Sequence, residues 1–490
     1  MTAYPHEVII GLEVHVQLST ESKLFCGCGT KFGAAPNTQT CPVCTGLPGA
    51  LPVLNRKAYE LGVRAGAALD CEIAKFTKWD RKNYFYPDLP KAYQISQFDL
   101  PITLNGHLTI SDPKGAFENR RIGITRAHLE EDAGKSMHDE AAGKGDSRID
   151  LNRCGTPLLE IVSEPDLRSA LESKIYLTEL KLILTYLGVS DCNMQEGSLR
   201  VDANINLHIE TPEGKIATPI VEVKNMNSFR AVEHALEYEA VRQYDEWEET
   251  GHKIGDFPKQ TYGWDEHAQV TRPQRFKEES SDYRYFPDPD LLPVTVDDAF
   301  IASVHEGLGE LPAALRERLQ KTYKIKAYDA DVLVNQGRAL VDYFIEAADL
   351  SGNVKMASNW IQQDVLRTLN EQKIGIKEFP VSASNLGELL KRVGSGKIPA
   401  NRGREVFALM IDETKSLDDA VETLGIEEVD SSELETLCQT LLDENPRVVE
   451  EVKAGKMKAV GSLIGKAKQK NPNVSPNEVR EICLRLIEGM

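Results

Sequence analysis

No stretch of eighteen consecutive apolar residues occurs in the 490-residue sequence, so nothing in it reads as a membrane-spanning helix. The first eleven residues lack the basic start and small-residue cleavage site of a signal peptide and lead straight into a strand-like pattern. A cytoplasmic protein without membrane association is the expectation. Repeats of solenoid period and low-complexity tracts are also missing, which excludes stacked-repeat folds. Positive charge is in short supply, with 57 Lys and Arg against 76 Asp and Glu and a formal net charge of −19. Such a chain is not coated in nucleic acid, although a local basic surface could still dock a folded RNA.

Cysteine is scarce and unevenly spread. Four of the nine cysteines form two pincers, Cys26-Gly-Cys28 and Cys41-Pro-Val-Cys44. In a long intracellular chain, clustered thiols point to metal more than to disulfides. Four thiolates at this spacing suit tetrahedral zinc, with glycines beside them permitting tight turns, and free thiols are the plain alternative. The set looks closed, so its role should be structural. A zinc deaminase would need H-x-E and then P-C-x-x-C. Gln17 stands where that acid belongs and Thr40 where that proline belongs, which disfavours deamination. Gly394-Ser-Gly396-Lys397 imitates a phosphate loop, but Lys391 replaces the first glycine and Ile398 the hydroxyl residue. A turn between helices is expected there.

At this length two to four domains are expected. Residues 1–295 mix short β-like runs, Gly/Pro turns and polar motifs; 296–400 turn helical, as in 308–319 and 339–350; 401–490 are helical and charge-rich. The fold class is therefore α+β followed by all-α domains. Within the first stretch, one helix after Asp166 sets Tyr176, Leu180, Ile183, Leu184 and Leu187 on a stripe and stops at Gly188. Another starts at a Ser228 N-cap and runs to Gly251. Helices packed on one face of a mainly antiparallel sheet would leave the other face for polar work.

The strand patterns show what that face carries. Residues 11–18 alternate so that Glu13, His15 and Gln17 share one side and Val14, Val16 and Leu18 the other. In 198–209, Ser198, Arg200, Asp202, Asn204, Asn206 and His208 line one face against an apolar opposite face. Half-solvated strands could show the same alternation. The residue types favour more, since Glu/His and Arg/Asp/Asn bind Mg²⁺ or orient phosphate. Further acids lie in 128–135, which holds Glu130, Glu131 and Asp132, and at Glu160 inside an apolar run, where a carboxylate needs a cation or donor nearby. Acids converging from several strands fit a metal–nucleotide site, with structural ion pairs as the alternative. Arg81, Lys82 and Arg284 lie in two similar aromatic motifs, 80–88 and 281–288, and are placed to meet phosphate. Glu222 and Lys224 again share one strand face.

Several long strings together resemble one family: GLEVHVQL at 11–18, DRKNYFYPDLPKAYQISQ at 80–97, ITRAHLEEDAGK at 124–135, DLNRCGTPLLEIVSEPD at 150–166, EGSLRVDANIN at 196–206, VKNMNSF at 223–229 and DYRYFPDPD at 282–290. The family is the B subunit of aspartyl/glutamyl-tRNA amidotransferases, the GatB/GatE family, and the resemblance spans the chain. It implies an antiparallel β cradle similar to that of glutamine synthetase, with a tRNA-binding, YqeY-like helical tail. It implies ATP-dependent phosphorylation of the side-chain carboxylate of Glu-tRNA(Gln) or Asp-tRNA(Asn), and then amidation with ammonia. Partners would be a glutaminase A subunit, a C subunit and the tRNA. By resemblance His15, Glu131 and Glu160 would hold Mg²⁺, Glu13 and Asp202 would sit nearby, and Lys82 and Lys91 would lie near the nucleotide or the ammonia path. Arg200, Lys224 and Arg284 would meet ATP. One departure from the family is Tyr262-Gly263 in place of an arginine pair, before Arg275.

The segment 452–477 holds Lys453, Lys456, Lys458, Lys466, Lys468 and Lys470 and no acid. A solvated helix face would explain it, and tRNA phosphates would also need such cations. Two competing readings remain: a stand-alone ATP-dependent carboxylate–amine ligase on a small metabolite, and a non-catalytic RNA-binding adaptor. No serine–lysine amidase signature is present, so the chain alone should not hydrolyse glutamine.

Overall fold

The computed structural model describes residues 4–138, 147–274, 282–412, 414–426 and 431–489. Arg275 and Ser281 of the motifs above lie outside these residues. The chain divides into two compact units, Met1–Ala314 and Leu315–Met490.

The first unit is built on one large sheet. Its strands are β1 (His6–Gln17), β2 (Glu72–Ile73), β3 (Thr103–Ile110), β4 (Arg120–Glu131), β5 (Pro157–Ser163), β6 (Leu199–Thr211), β7 (Gly214–Ala217), β8 (Val221–Lys224), β9 (Gln260–Asp265) and β10 (Val270–Pro273). The order across the sheet is β10-β9-β8-β6-β1-β5-β4-β3-β2, with β7 paired to β6. Every pairing is antiparallel except β8 with β9. Central β1 shows why the alternation matters. Ile10, Leu12, Val14 and Val16 are all but fully buried, and they join Val201, Ala203 and Ile205 of β6 in one core.

Three helices cover that apolar face: α1 (Arg56–Ala68), α2 (Ala170–Tyr186) and α3 (Phe229–Thr250). Their ends follow the expected signals. Asn55 caps α1 by accepting from Lys57 N and Ala58 N, Ser169 caps α2, and Ser228 caps α3. Gly188 (φ +64°) and Gly251 (φ +70°) supply the left-handed stops. Buried Tyr176, Leu180, Ile183, Leu184 and Leu187 form the stripe of α2 that meets the core. The helix Asp298–Glu306 also belongs here: Arg64 donates to Gly307 O at 3.0 Å, and the Tyr59 and Phe300 rings lie 6.5 Å apart.

The two similar aromatic motifs find each other. Phe286–Pro287, Asp80–Asn83 and Tyr93–Ser96 form a separate three-stranded sheet. Arg81 binds it together by pairing with Asp288 at 2.8 Å and Asp290 at 2.9 Å.

Helices are the only regular elements among the described residues of the second unit. Helix Arg338–Ser351 packs on Ala383–Gly394, where Gly387 lets the backbones approach Ala347 and Leu350 closely. A further core joins Leu434, Leu441, Leu463, Val479 and Ile487. Residues 395–399 form the turn between Ala383–Gly394 and Ala400–Asp412, as read from the sequence. The α+β fold followed by an all-α region is thus present.

Candidate functional site: a donor cluster on the open sheet face

Register decides which side chains meet. His15 lies opposite Glu160 on one neighbour and Arg200 on the other; Glu160 in turn lies opposite His128, and Glu13 opposite Asp202. Among the described residues, two clusters of His, Cys, Asp or Glu bring donors close enough to share an ion. One is His15, Glu130 and Glu160, with ligand atoms within 4.8 Å of one another. His128 Nε2 braces both acids, 3.4 Å from Glu160 Oε2 and 3.8 Å from Glu130 Oε2. Burial works to raise the Glu130 carboxyl. The His128 hydrogen bond and the charges of His15, His128 and Lys82 outweigh it and hold the group below the usual carboxylate range. His15 Nδ1 is buried without a hydrogen-bond partner. Two close carboxylates beside an orphaned imidazole nitrogen are a donor set that a divalent cation would satisfy.

Glu131, expected in this trio, is placed elsewhere, and its neighbour Glu130 stands in its stead. β4 pairs regularly with β5 over these residues, so successive side chains alternate between faces. His128 and Glu130 reach the open face; Leu129 and Glu131 turn to the other. There Glu131 pairs with Lys91, both side chains nearly fully buried, and it accepts from Ile95 N at 3.1 Å. Burial works against the Lys91 ammonium, but Glu131 holds it above the ordinary lysine range.

Cations surround the trio. His15, Lys82, Glu130, Glu160, Arg200, Asp202 and Lys224 line one cleft. The Lys82 ammonium lies 4.8 Å from the Tyr283 ring centre and 5.9 Å from that of Tyr84. Lys224 pairs with Asp202 and stands 3.4 Å from Glu222. Glu13 accepts from Asn204 Nδ2 at 2.9 Å. Arg284 is not brought to this cleft: its side chain is 84% exposed and 3.6 Å from Asp282. Arg81 is spent on its two aspartates. A second cleft adjoins the first at Arg200, Met226 and Asn227.

Asp132 is a site residue that residue-type reasoning does not single out. It is 2% exposed and accepts from Gln17 Nε2 at 2.8 Å and Arg200 Nη2 at 2.9 Å, which fixes Arg200 at the junction of the clefts. Asp132 drives the Arg200 guanidinium further above its ordinary range. Strand parity in 126–131 is the available signal for Glu130 and His128, because Arg126, His128 and Glu130 alternate with Ala127 and Leu129. Asp132 lies past the strand and leaves no such signal.

The second cluster is Cys26, Cys28, Cys41 and Cys44, again within 4.8 Å. Cys44 is buried and accepts from Cys41 N at 3.2 Å. Its thiol is held far below the ordinary range, first by the hydrogen bond with Cys26 and then, against burial, by the Cys41 N–H and Lys23. Four sulfurs converging this closely fit a tetrahedral ion.

The open sheet face gathers the carboxylates, imidazole and cations that metal-assisted phosphoryl transfer requires, and the comparisons make the class specific. The family model described as the GatB/GatE catalytic domain matches residues 8–302, and that of the GatB domain matches 342–487. A protein of Rhodopirellula baltica is 62% identical over 99% of this chain and 98% of its own length. Proteins of Caldanaerobacter subterraneus (47%; 97% and 99%) and Pseudomonas syringae (46%; 99% and 99%) are also similar. All three are named as the B subunit of aspartyl/glutamyl-tRNA(Asn/Gln) amidotransferase. The chain belongs to the GatB/GatE family.

Proposed function

We propose that this chain is the ATP- and tRNA-using subunit of a heterotrimeric carbon–nitrogen ligase. It acts in the cytoplasm with a glutaminase A subunit and a small C subunit. Its substrates are Glu-tRNA(Gln), Asp-tRNA(Asn) or both, and its products are Gln-tRNA(Gln) and Asn-tRNA(Asn). The observation that carries the reading is the His15–Glu130–Glu160 cluster on the open sheet face, ringed by Lys82, Arg200 and Lys224. A free-standing ligase on a small metabolite has no support in the matches to subunits of a tRNA-dependent enzyme.

His15, Glu130 and Glu160 would hold Mg²⁺, which, when bound, neutralises charge on the transferring phosphoryl group. Arg200, anchored by Asp132, and Lys82 and Lys224 orient the ATP phosphates and the substrate carboxylate. The substrate carboxylate oxygen attacks the γ-phosphorus; the bond to ADP breaks and an acyl phosphate forms. Ammonia then bonds to the carbonyl carbon, sheds a proton, and phosphate leaves. Positioning and charge neutralisation carry the first step, so no protein nucleophile is required. Glu13, hydrogen-bonded to Asn204 and opposite Asp202, keeps that end of the cleft negative, and Lys224 balances it. Zinc at Cys26, Cys28, Cys41 and Cys44 braces the fold. Residues 401–490 form the tRNA-binding tail and 1–295 the catalytic cradle; of the helical stretch 296–400, the helix Asp298–Glu306 packs with the cradle.

The test is co-purification with the A and C subunits, then transamidation assays on Glu-tRNA(Gln) and Asp-tRNA(Asn) with ATP and glutamine. Amidated product on at least one tRNA is expected, and no glutamine hydrolysis by the chain alone. An assembled trimer that amidates neither would overturn the reading.

A further inference from the structure

Lys23 is a buried lysine that the reaction leaves unused. It is 0% exposed, and its three N–H donors go to Gln39 O at 2.7 Å, Leu151 O at 3.4 Å and Cys44 Sγ at 3.6 Å. Among the described residues it makes no ion pair with a carboxylate; the nearby Glu131 is taken by Lys91. Two carbonyls and a sulfur satisfy the hydrogen bonds of an ammonium but not its charge. A buried ammonium with no anion is strongly disfavoured, so the compensating charge must come from the sulfur cluster.

We propose that Lys23 is the counter-ion of the zinc–tetrathiolate centre at Cys26, Cys28, Cys41 and Cys44, holding the ion through its contact with Cys44. Four thiolates outweigh one divalent cation, so the loaded centre is anionic, and at Cys44, its one buried ligand, that charge faces the low-dielectric interior. An ammonium beside one sulfur offsets that charge. Its hydrogen bond to Cys44 Sγ also orients that sulfur and draws electron density from it. The same side chain ties the centre to the sheet. Gln39 lies just before Cys41, and Leu151 begins the turn that ends at Gly155. That turn is held independently, by Leu24 N to Gly155 O at 2.9 Å and Cys154 Sγ to Cys44 O at 3.3 Å. Gly155 N in turn donates to Asp132 O at 2.8 Å, so the knuckle is anchored beside the residue that fixes Arg200.

The inference rests on the zinc reading above, and the experiment separates the two. Intact trimers carrying wild-type chain, Lys23→Met, Lys23→Gln and Lys23→Arg are purified. Zinc per chain is measured, and its release is followed with a chromogenic chelator. Cobalt-substituted samples report the sulfur-to-metal charge-transfer band. Wild type should hold one zinc, and Lys23→Met should release it about 10- to 100-fold faster. In Lys23→Met the charge-transfer band should move to lower energy, because the sulfur is no longer stabilised. Lys23→Gln should behave like Lys23→Met, and Lys23→Arg, which keeps the charge, should stay near wild type. A wild-type trimer without zinc sinks the zinc reading itself. A zinc-loaded wild type whose release and spectrum are unchanged in the neutral variants sinks only the role of Lys23. If neither neutral variant folds while Cys44→Ser does, the fold rather than the metal needs the lysine, and the proposal fails.

Discussion

Glu130 and Glu131 are chemically identical neighbours that the strand sends in opposite directions, and their substitutions should fail differently. Glu130→Gln removes one donor of the trio on the open face. Transition-state charge stabilisation of several kcal/mol is at stake there, a loss of about a thousandfold in transamidation. Glutamine hydrolysis by the partner subunit and the unfolding midpoint of the chain should change little. Glu131→Gln instead strands the Lys91 ammonium in a buried site. It should cost about 3–5 kcal/mol of stability, read from denaturant unfolding. If the unfolding loss appeared in Glu130→Gln and not in Glu131→Gln, the assignment of the two faces would be wrong. The pair also marks the limit of residue-type reasoning. His15 is legible because it sits in a clean alternating run, and Glu160 because a carboxylate inside an apolar run needs a cation or donor. Residue type cannot choose between Glu130 and Glu131, since both are acidic, and only strand parity distinguishes them. Arg284 misleads for a different reason: its motif is aromatic and basic, yet the side chain points to solvent while the partner motif contributes Lys82.

At the scale of elements, the strands and caps are legible because they are local. The period-two alternation of β1 and β6 and the Ser228 and Gly251 ends of α3 depend on residues a few positions apart. What brings β1, β4, β5 and β6 side by side is not local, and no sequence pattern states it. The packing of α1 shows a second kind of hidden information. Gly62 and Gly66 are one turn apart within the helix, where glycine ordinarily costs about 1 kcal/mol relative to alanine. The structure shows why alanine is not better. A Cβ on Gly66 would lie 2.3 Å from Thr103 Cγ2, and one on Gly62 would lie 2.7 Å from Ile102 Cδ1. Thr103 is fully buried and its hydroxyl donates to Ala127 O at 3.1 Å, so it cannot step aside freely. Gly66→Ala should therefore destabilise the chain by about 1–3 kcal/mol in spite of the better helix propensity. A denaturant midpoint raised by this substitution would show that the helix relaxes away from the sheet at little cost.

Across the whole molecule, an acidic protein that binds tRNA must concentrate its cations where the phosphates come. The net charge of −19 repels a polyanion at long range, so docking depends on local excess. The segment 452–477 has such an excess, with six lysines and no acid, but the structure does not leave all six available. Lys470 is paired with Glu444 at 2.8 Å, and Lys466 donates to Asn445. Lys453, Lys456 and Lys458 are exposed around the short turn Met457–Ala459. The following helix, Val460–Lys470, presents Gly461 and Gly465 with nothing within 4 Å of an added Cβ, so a phosphate backbone could approach closely. Replacing Lys453, Lys456 and Lys458 together by alanine in the intact trimer should weaken tRNA binding. It should also reduce the slope of log affinity against log salt by about 2 to 3, since each lost phosphate contact releases fewer counter-ions. ATP binding, proposed above for the cleft around His15 and Arg200, should not move. Unchanged salt slope with weakened affinity would mean that the lysines shape the helical unit instead of touching phosphate. Unchanged affinity would place the tRNA contacts outside this segment altogether.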